Sequence, residues 1–134
     1  MFKPLLIAAL LSAAALPAAA ETLTVTFTKA QPKGAIMVAL YKGEDTYNGG
    51  KPIKAETVTV TGDTATVTFE VEPGQYGIKA FHDLNGNGKM DFNPFGMPTE
   101  PFAFSNNAVG RMGPAKWDDA AFEVSGNTTQ NISF

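Results

Sequence analysis

Positions 22–28 read Thr-Leu-Thr-Val-Thr-Phe-Thr, polar and apolar in strict alternation, so Leu23, Val25 and Phe27 share one face of an extended strand. Four further segments alternate in the same way. Residues 35–41 present Ile36, Val38 and Leu40, residues 56–61 present Val58 and Val60, residues 64–71 present Val67, Phe69 and Val71, and residues 75–82 present Tyr76, Ile78 and Ala80. Two late segments, 120–124 and 128–134, meet through Ser125-Gly126-Asn127. Gly62-Asp63 reads as a tight hairpin between two threonine-rich strands, and Pro73-Gly74 as the turn between the next two. One buried and one wet face per strand is the antiparallel pattern. The expected fold class is all-β, an antiparallel seven-stranded β-sandwich with no helix.

The periodicity fails between 83 and 118. Loops beyond about 15 residues are functional, disordered or misread. Disorder does not suit this one, because the chain from 81 to 122 carries Phe81, Phe92, Phe95, Phe102, Phe104, Trp117 and Phe122. The segment 83–118 is expected to fold onto the sandwich as one long capping loop, its rings forming the cap's own core. Met90, Met97 and Met112 are expected to fill gaps among them.

At the N-terminus, Lys3, an apolar run over 5–16, Pro17 and Ala18-Ala19-Ala20 match the three parts of a secretory signal peptide. The run is shorter than the roughly 20 residues a membrane span needs. The reading is therefore a signal peptide at 1–20 and a single β-sandwich domain at 21–134, periplasmic or secreted and not membrane-bound after cleavage. Removing residues 1–20, which include one lysine, leaves 114 residues (134 less 20) with 9 basic and 13 acidic side chains, a net charge of −4. That balance attracts neither nucleic acid nor an anionic membrane. The chain has no cysteine, so stability has to come from burial, hydrogen bonds or a metal.

One segment specifies a chemistry. In Asp83-Leu84-Asn85-Gly86-Asn87-Gly88-Lys89-Met90-Asp91, oxygen-bearing side chains fall at the first, third, fifth and ninth positions and a glycine at the sixth. That is the spacing of a calcium-binding loop. Asp83 would offer a carboxylate, Asn85 and Asn87 amide oxygens, Lys89 its backbone carbonyl, and Asp91 a carboxylate directly or through water, a hard oxygen set suited to Ca2+. The twelfth position holds Pro94 in place of the bidentate glutamate. Glu100, Asp118 or Asp119 is left to fill the gap, and spacing does not choose among them. With two carboxylates inside the motif, binding of about 10⁻⁴ to 10⁻³ M is expected. The competing reading is a metal-free turn, with Asn and Asp side chains capping their own backbone.

Other readings compete for the whole chain. A hydrolase would use His82 as base, Asp83 or Asp119 to orient it and Ser105 as nucleophile. His82 is the only histidine, neighbours on a strand point to opposite faces, and no Gly-x-Ser-x-Gly elbow surrounds Ser105. A binding module would offer its aromatic loop to a glycan, a peptide or a protein partner.

The stretches Pro73-Gly74-Gln75-Tyr76, His82-Asp83-Leu84-Asn85-Gly86-Asn87-Gly88-Lys89-Met90-Asp91, Gly96-Met97-Pro98-Thr99-Glu100, Phe104-Ser105-Asn106-Asn107-Ala108, Gly113-Pro114 and Trp117-Asp118-Asp119-Ala120-Ala121-Phe122 occur in order over nearly all of residues 21–134. In these the chain resembles the exported bacterial family of domain of unknown function 2141. The resemblance implies a secreted or periplasmic sandwich of the transthyretin-like or carboxypeptidase-regulatory-like kind, with no assigned activity. It also implies that Glu100, Ser105, Asn106 and Asp119 belong with the loop as one unit. Trp117 stands where phenylalanine is more usual in that family, a conservative change.

Overall fold

A computed structural model describes residues 20–134; the expected leader at 1–20 lies outside them except for its last residue. Among the described residues eight strands form two sheets. The smaller has the order β4-β1-β8, from β1 (Glu21–Thr28), β4 (Ala65–Val71) and β8 (Thr128–Ser133). The larger has the order β3-β2-β5-β6, from β3 (Lys54–Thr59), β2 (Ala35–Lys42), β5 (Gly74–Asp83) and β6 (Phe102–Phe104), with β7 (Phe122–Val124) also paired to β5. The chain is an all-β sandwich.

Its core is the set of alternating positions seen in the sequence. Leu23, Val25, Phe27, Ile36, Leu40 and Ile78 are fully buried, and Val38, Phe69, Val71, Tyr76 and Ala80 nearly so. Burial of this kind stabilises by about 25 cal/mol per Å² of apolar surface removed from water. The pattern predicted these faces because β1 and β4 have solvent on their other side.

Four expectations change. First, β1 and β8 run parallel, Leu23 opposite Thr128 through Thr28 opposite Ser133. Alternation is the same in either direction, so the sequence could not show it.

Second, Gly62-Asp63 and Pro73-Gly74 are not hairpin turns. Each carries the chain from one sheet to the other, as does Ser125-Gly126-Asn127. A hairpin at 62–63 would set Val58 and Val60 beside Val67 and Phe69; the corner sets them opposite, across a shared core.

Third, an eighth strand, β6, lies inside the expected loop; three residues are too few for a period to show. Fourth, the described residues include two short α-helices, α1 (Glu44–Gly49) and α2 (Trp117–Ala120), and a 3-10 turn at Ser105–Asn107. In α1, Glu44 and Asp45 sit in the first turn, where negative charge suits the helix dipole. The Thr46 hydroxyl donates to Lys42 O. No helix among the described residues is long and apolar enough to cross a membrane.

The loop packs on the outer face of the larger sheet. There Tyr47, Phe104, Ala115 and Ala120 form a second small core, with Tyr41, Ala108 and Trp117 against it. Gly77 makes this possible, because a Cβ there would stand 2.8 Å from the Tyr47 ring and 3.1 Å from Trp117. The Tyr47 hydroxyl donates to Ala115 O at 2.6 Å, tying α1 to the far end of the loop.

Candidate functional site

Asp83 is the last residue of β5 and is 3% exposed. From it the chain turns through Gly86 at φ 71° and Gly88 at φ 79°, left-handed values that glycine adopts at little cost. The turn brings Gly88 N back to donate to Asp83 Oδ2 at 2.7 Å. Asn85 Oδ1 accepts from Asn87 N at 3.2 Å, and Asn87 Oδ1 from Lys89 N at 3.1 Å. The amide nitrogens of Asn85 and Asn87 both donate to Asp91, at 2.6 and 2.7 Å. These bonds, Asn87 first, hold the Asp91 carboxyl below its ordinary pKa.

Glu100 closes the loop from outside. Its carboxylate is 6% exposed and accepts from Leu84 N at 2.6 Å and Asp91 N at 3.1 Å. Asp83, Asn85, Asn87, Lys89, Asp91 and Glu100 are therefore gathered in one bonded unit. Asp119 is placed elsewhere, in α2, where its carbonyl accepts from Asn106 Nδ2 at 3.2 Å. Among the described residues no hydrogen bond joins Asp119 to residues 83–91. Ser105 and Asn106 also stand apart from the loop. The Ser105 hydroxyl accepts from Ile78 N at 2.9 Å and donates to Ala120 O at 2.5 Å, while Asn106 exchanges bonds with Gln130 at 2.9 and 3.0 Å. They fasten β8, α2 and β5 together, so the unit implied by resemblance divides into a loop clip at Glu100 and a strand junction at Ser105, Asn106 and Asp119.

Two features bear on a cation. Asp83 Oδ1 is buried and has no partner, although a buried carboxylate oxygen left unpaired is costly. A hard cation beside it would remove that cost. The amide groups of Asn85 and Asn87, in contrast, turn nitrogen rather than oxygen toward Asp91. No group of three or more acidic or histidine side chains converges among the described residues.

The hydrolase residues do not meet. His82 faces the core beside Phe134, at 5.8 Å between rings, and its Nε2 donates to Lys33 O at 2.6 Å. Its neighbour Asp83 lies on the other face of β5, and the Ser105 hydroxyl is taken up by backbone.

The rings of the loop depart most from expectation. Phe104 is buried, but Phe92, Phe95 and Phe102 are 60%, 89% and 41% exposed, and Met97 and Met112 are exposed with them. They do not form a cap core. The tip that carries Phe95 is nevertheless ordered, because Asn93 Oδ1 accepts from Phe95 N at 2.9 Å and Met97 N at 3.0 Å. Thr99 N donates to Asp91 O at 2.9 Å. Between this tip and the sheet runs a groove of about 1050 Å³.

The sequence carried an overlooked signal for it. In β2 the positions facing away from the core, Met37, Ala39 and Tyr41, are as apolar as those facing inward, the mark of a strand covered on both faces.

No curated protein matches the chain by sequence. A family profile described as "Uncharacterized protein conserved in bacteria" matches residues 19–133, which include every strand of the sandwich and the loop. The chain belongs to this bacterial family, the domain of unknown function 2141.

Proposed function

We propose that the protein is an exported binding or structural module, periplasmic or secreted, whose long loop is organised by a calcium ion. The observation that supports this is the buried, unpartnered Asp83 Oδ1 at the first position of a loop with calcium spacing. Asp83, Asn85, Asn87, Lys89 and Asp91 would supply oxygens, the two amides turning over to do so, and Glu100 stands in for the missing residue at Pro94. An ion there would staple a loop that no disulfide holds, adding stability only where calcium is near or above its dissociation constant.

Calorimetric titration of residues 21–134 with calcium tests the reading. A dissociation constant of about 10⁻⁴ to 10⁻³ M is expected, with stability rising by about 1 to 3 kcal/mol at ten to a hundred times that concentration. Asp83→Asn keeps an acceptor for Gly88 N and should abolish the heat. No heat and no change in melting temperature at millimolar calcium would sink the proposal.

A second reading has an observation in its favour. The exposure of Phe92, Phe95 and Phe102 supports a ligand-binding face on the loop.

A further inference from the structure

The outer face of the larger sheet can be read row by row from its register. One row runs Thr57, Met37, Phe81, Phe102, and the next Ala55, Ala39, Lys79, Phe104. Lys79 is the single charge in these rows. Glu56 borders the groove at the β3 edge but shares the register row of core-facing Val38, so alternation turns it the other way.

The Lys79 ammonium donates to Tyr47 O at 2.6 Å and lies 4.7 and 4.3 Å from the Tyr41 and Tyr47 ring centres. Among the described residues the one ion pair is Lys42 with Glu72, so Lys79 has no carboxylate within salt-bridge distance. Burial pushes its pKa down, as expected for a half-buried cation without a counter-charge.

The groove is thus a long apolar trough with one uncompensated positive group at the end near α1, and its volume is at the upper limit of small-molecule sites, about 300–1,000 Å³. A glycan fits poorly. The strand amides and carbonyls beneath are spent in the ladder, and buried hydroxyls without partners are penalised. A peptide adding to a sheet needs an open edge, and the groove lies over the central strands β2 and β5.

We infer that the groove binds a small amphiphile with an apolar chain or ring system and an anionic head, its body on Met37, Phe81 and Phe102 and its head at Lys79. This rests on the binding-face reading and not on calcium. Charge complementarity at Lys79 selects the head, and the ordered tip at Asn93 holds Phe95 in place over the chain.

The test uses dodecanoate, with undecyltrimethylammonium as the same eleven-carbon chain bearing the opposite charge, below their micellar concentrations. Trp117 is the only tryptophan and packs 5.5 Å from Tyr47, so its emission reports on the Lys79 end. Titrations run in calcium and in chelator keep the result readable whether or not the loop binds metal. Dodecanoate is expected to bind at least about 10-fold more tightly than the cation, and Lys79→Met to remove that preference while keeping the stem's packing. Phe95→Ser, at a site too exposed to matter for folding, should weaken both amphiphiles. Equal affinity for the two head groups, undiminished dodecanoate binding by folded K79M, absence of binding to the wild type, or a dimer that excludes both probes would each overturn the inference.

Discussion

The two outer faces of the sandwich are built from the same kind of strand and finished in opposite ways. On the smaller sheet the outward rows are Thr68, Thr24, Thr129 and Thr66, Thr26, Asn131, cross-strand neighbours that hydrate well and suit extended backbone. On the larger sheet the corresponding rows are Met37, Phe81, Phe102 and Ala39, Lys79, Phe104. The threonine face needs nothing on it. The apolar face is covered by α1, α2 and part of the loop at one end, and at the other a groove stays open between the sheet and the loop tip. The sandwich therefore has one face of threonine and asparagine turned to water and one apolar face over which the bonds at 83–100 hold a loop.

The largest test of that difference is at the clip that holds the loop over the apolar face. Glu100→Ala leaves Leu84 N and Asp91 N without their acceptor, and hydrogen bonds to a buried carboxylate are among the stronger ones. A loss of about 3 kcal/mol is expected in urea unfolding, measured in chelator so that metal does not contribute. Glu100→Gln keeps one acceptor oxygen and should lose about half as much. A change under about 0.5 kcal/mol for Glu100→Ala would show that the loop does not depend on the clip.

A swap between the faces comes next. Phe81→Thr places a threonine-face residue on the apolar face and should cost about 2 kcal/mol, from lost burial and the gap left under the loop. Thr26→Val makes the reverse change, giving up a contact of only 3.5 Å with Thr66, and should be neutral within about 0.5 kcal/mol. Equal costs for the two variants in thermal or denaturant unfolding would mean the faces are not energetically distinct.

What the sequence made legible follows the same division. Leu23, Val25 and Phe27 could be placed because their intervening threonines stay wet, and the pattern survives translation into structure. The order of strands could not be read, since Gly62-Asp63 turns a chain equally well within a sheet or between two. The loop's bonds were half legible. Asp83, Asn85, Asn87 and Asp91 are linked by short-range spacing, whereas Glu100 reaches Leu84 from 16 positions away, and only folding decides between it and Asp119. The exposure of Phe92, Phe95 and Phe102 ran against composition, because clustered rings ordinarily bury one another. Here hydrogen bonds from Asn93 order the tip instead, and the rings are left free.

A loss smaller than that at Phe81 is expected where the apolar face is already covered. Tyr47 sits over Gly77, with its hydroxyl on Ala115 O, and burial, followed by the nearby Tyr41 and Asp119, pushes its pKa up to about 12. A raised folded-state pKa contributes stability that is present below the unfolded value near 10 and is lost as pH rises toward 12. Tyr47→Phe should cost about 1 kcal/mol at neutral pH, for one buried hydrogen bond, and should make the alkaline fall shallower. It should not abolish that fall, because burial also raises Tyr41 and Tyr76. Trp117, packed against Tyr47, gives the fluorescence signal for both measurements. An alkaline profile unchanged in Tyr47→Phe would mean that the phenol titrates as freely as an exposed one. The covered end of the apolar face would then be as wet as the threonine face opposite.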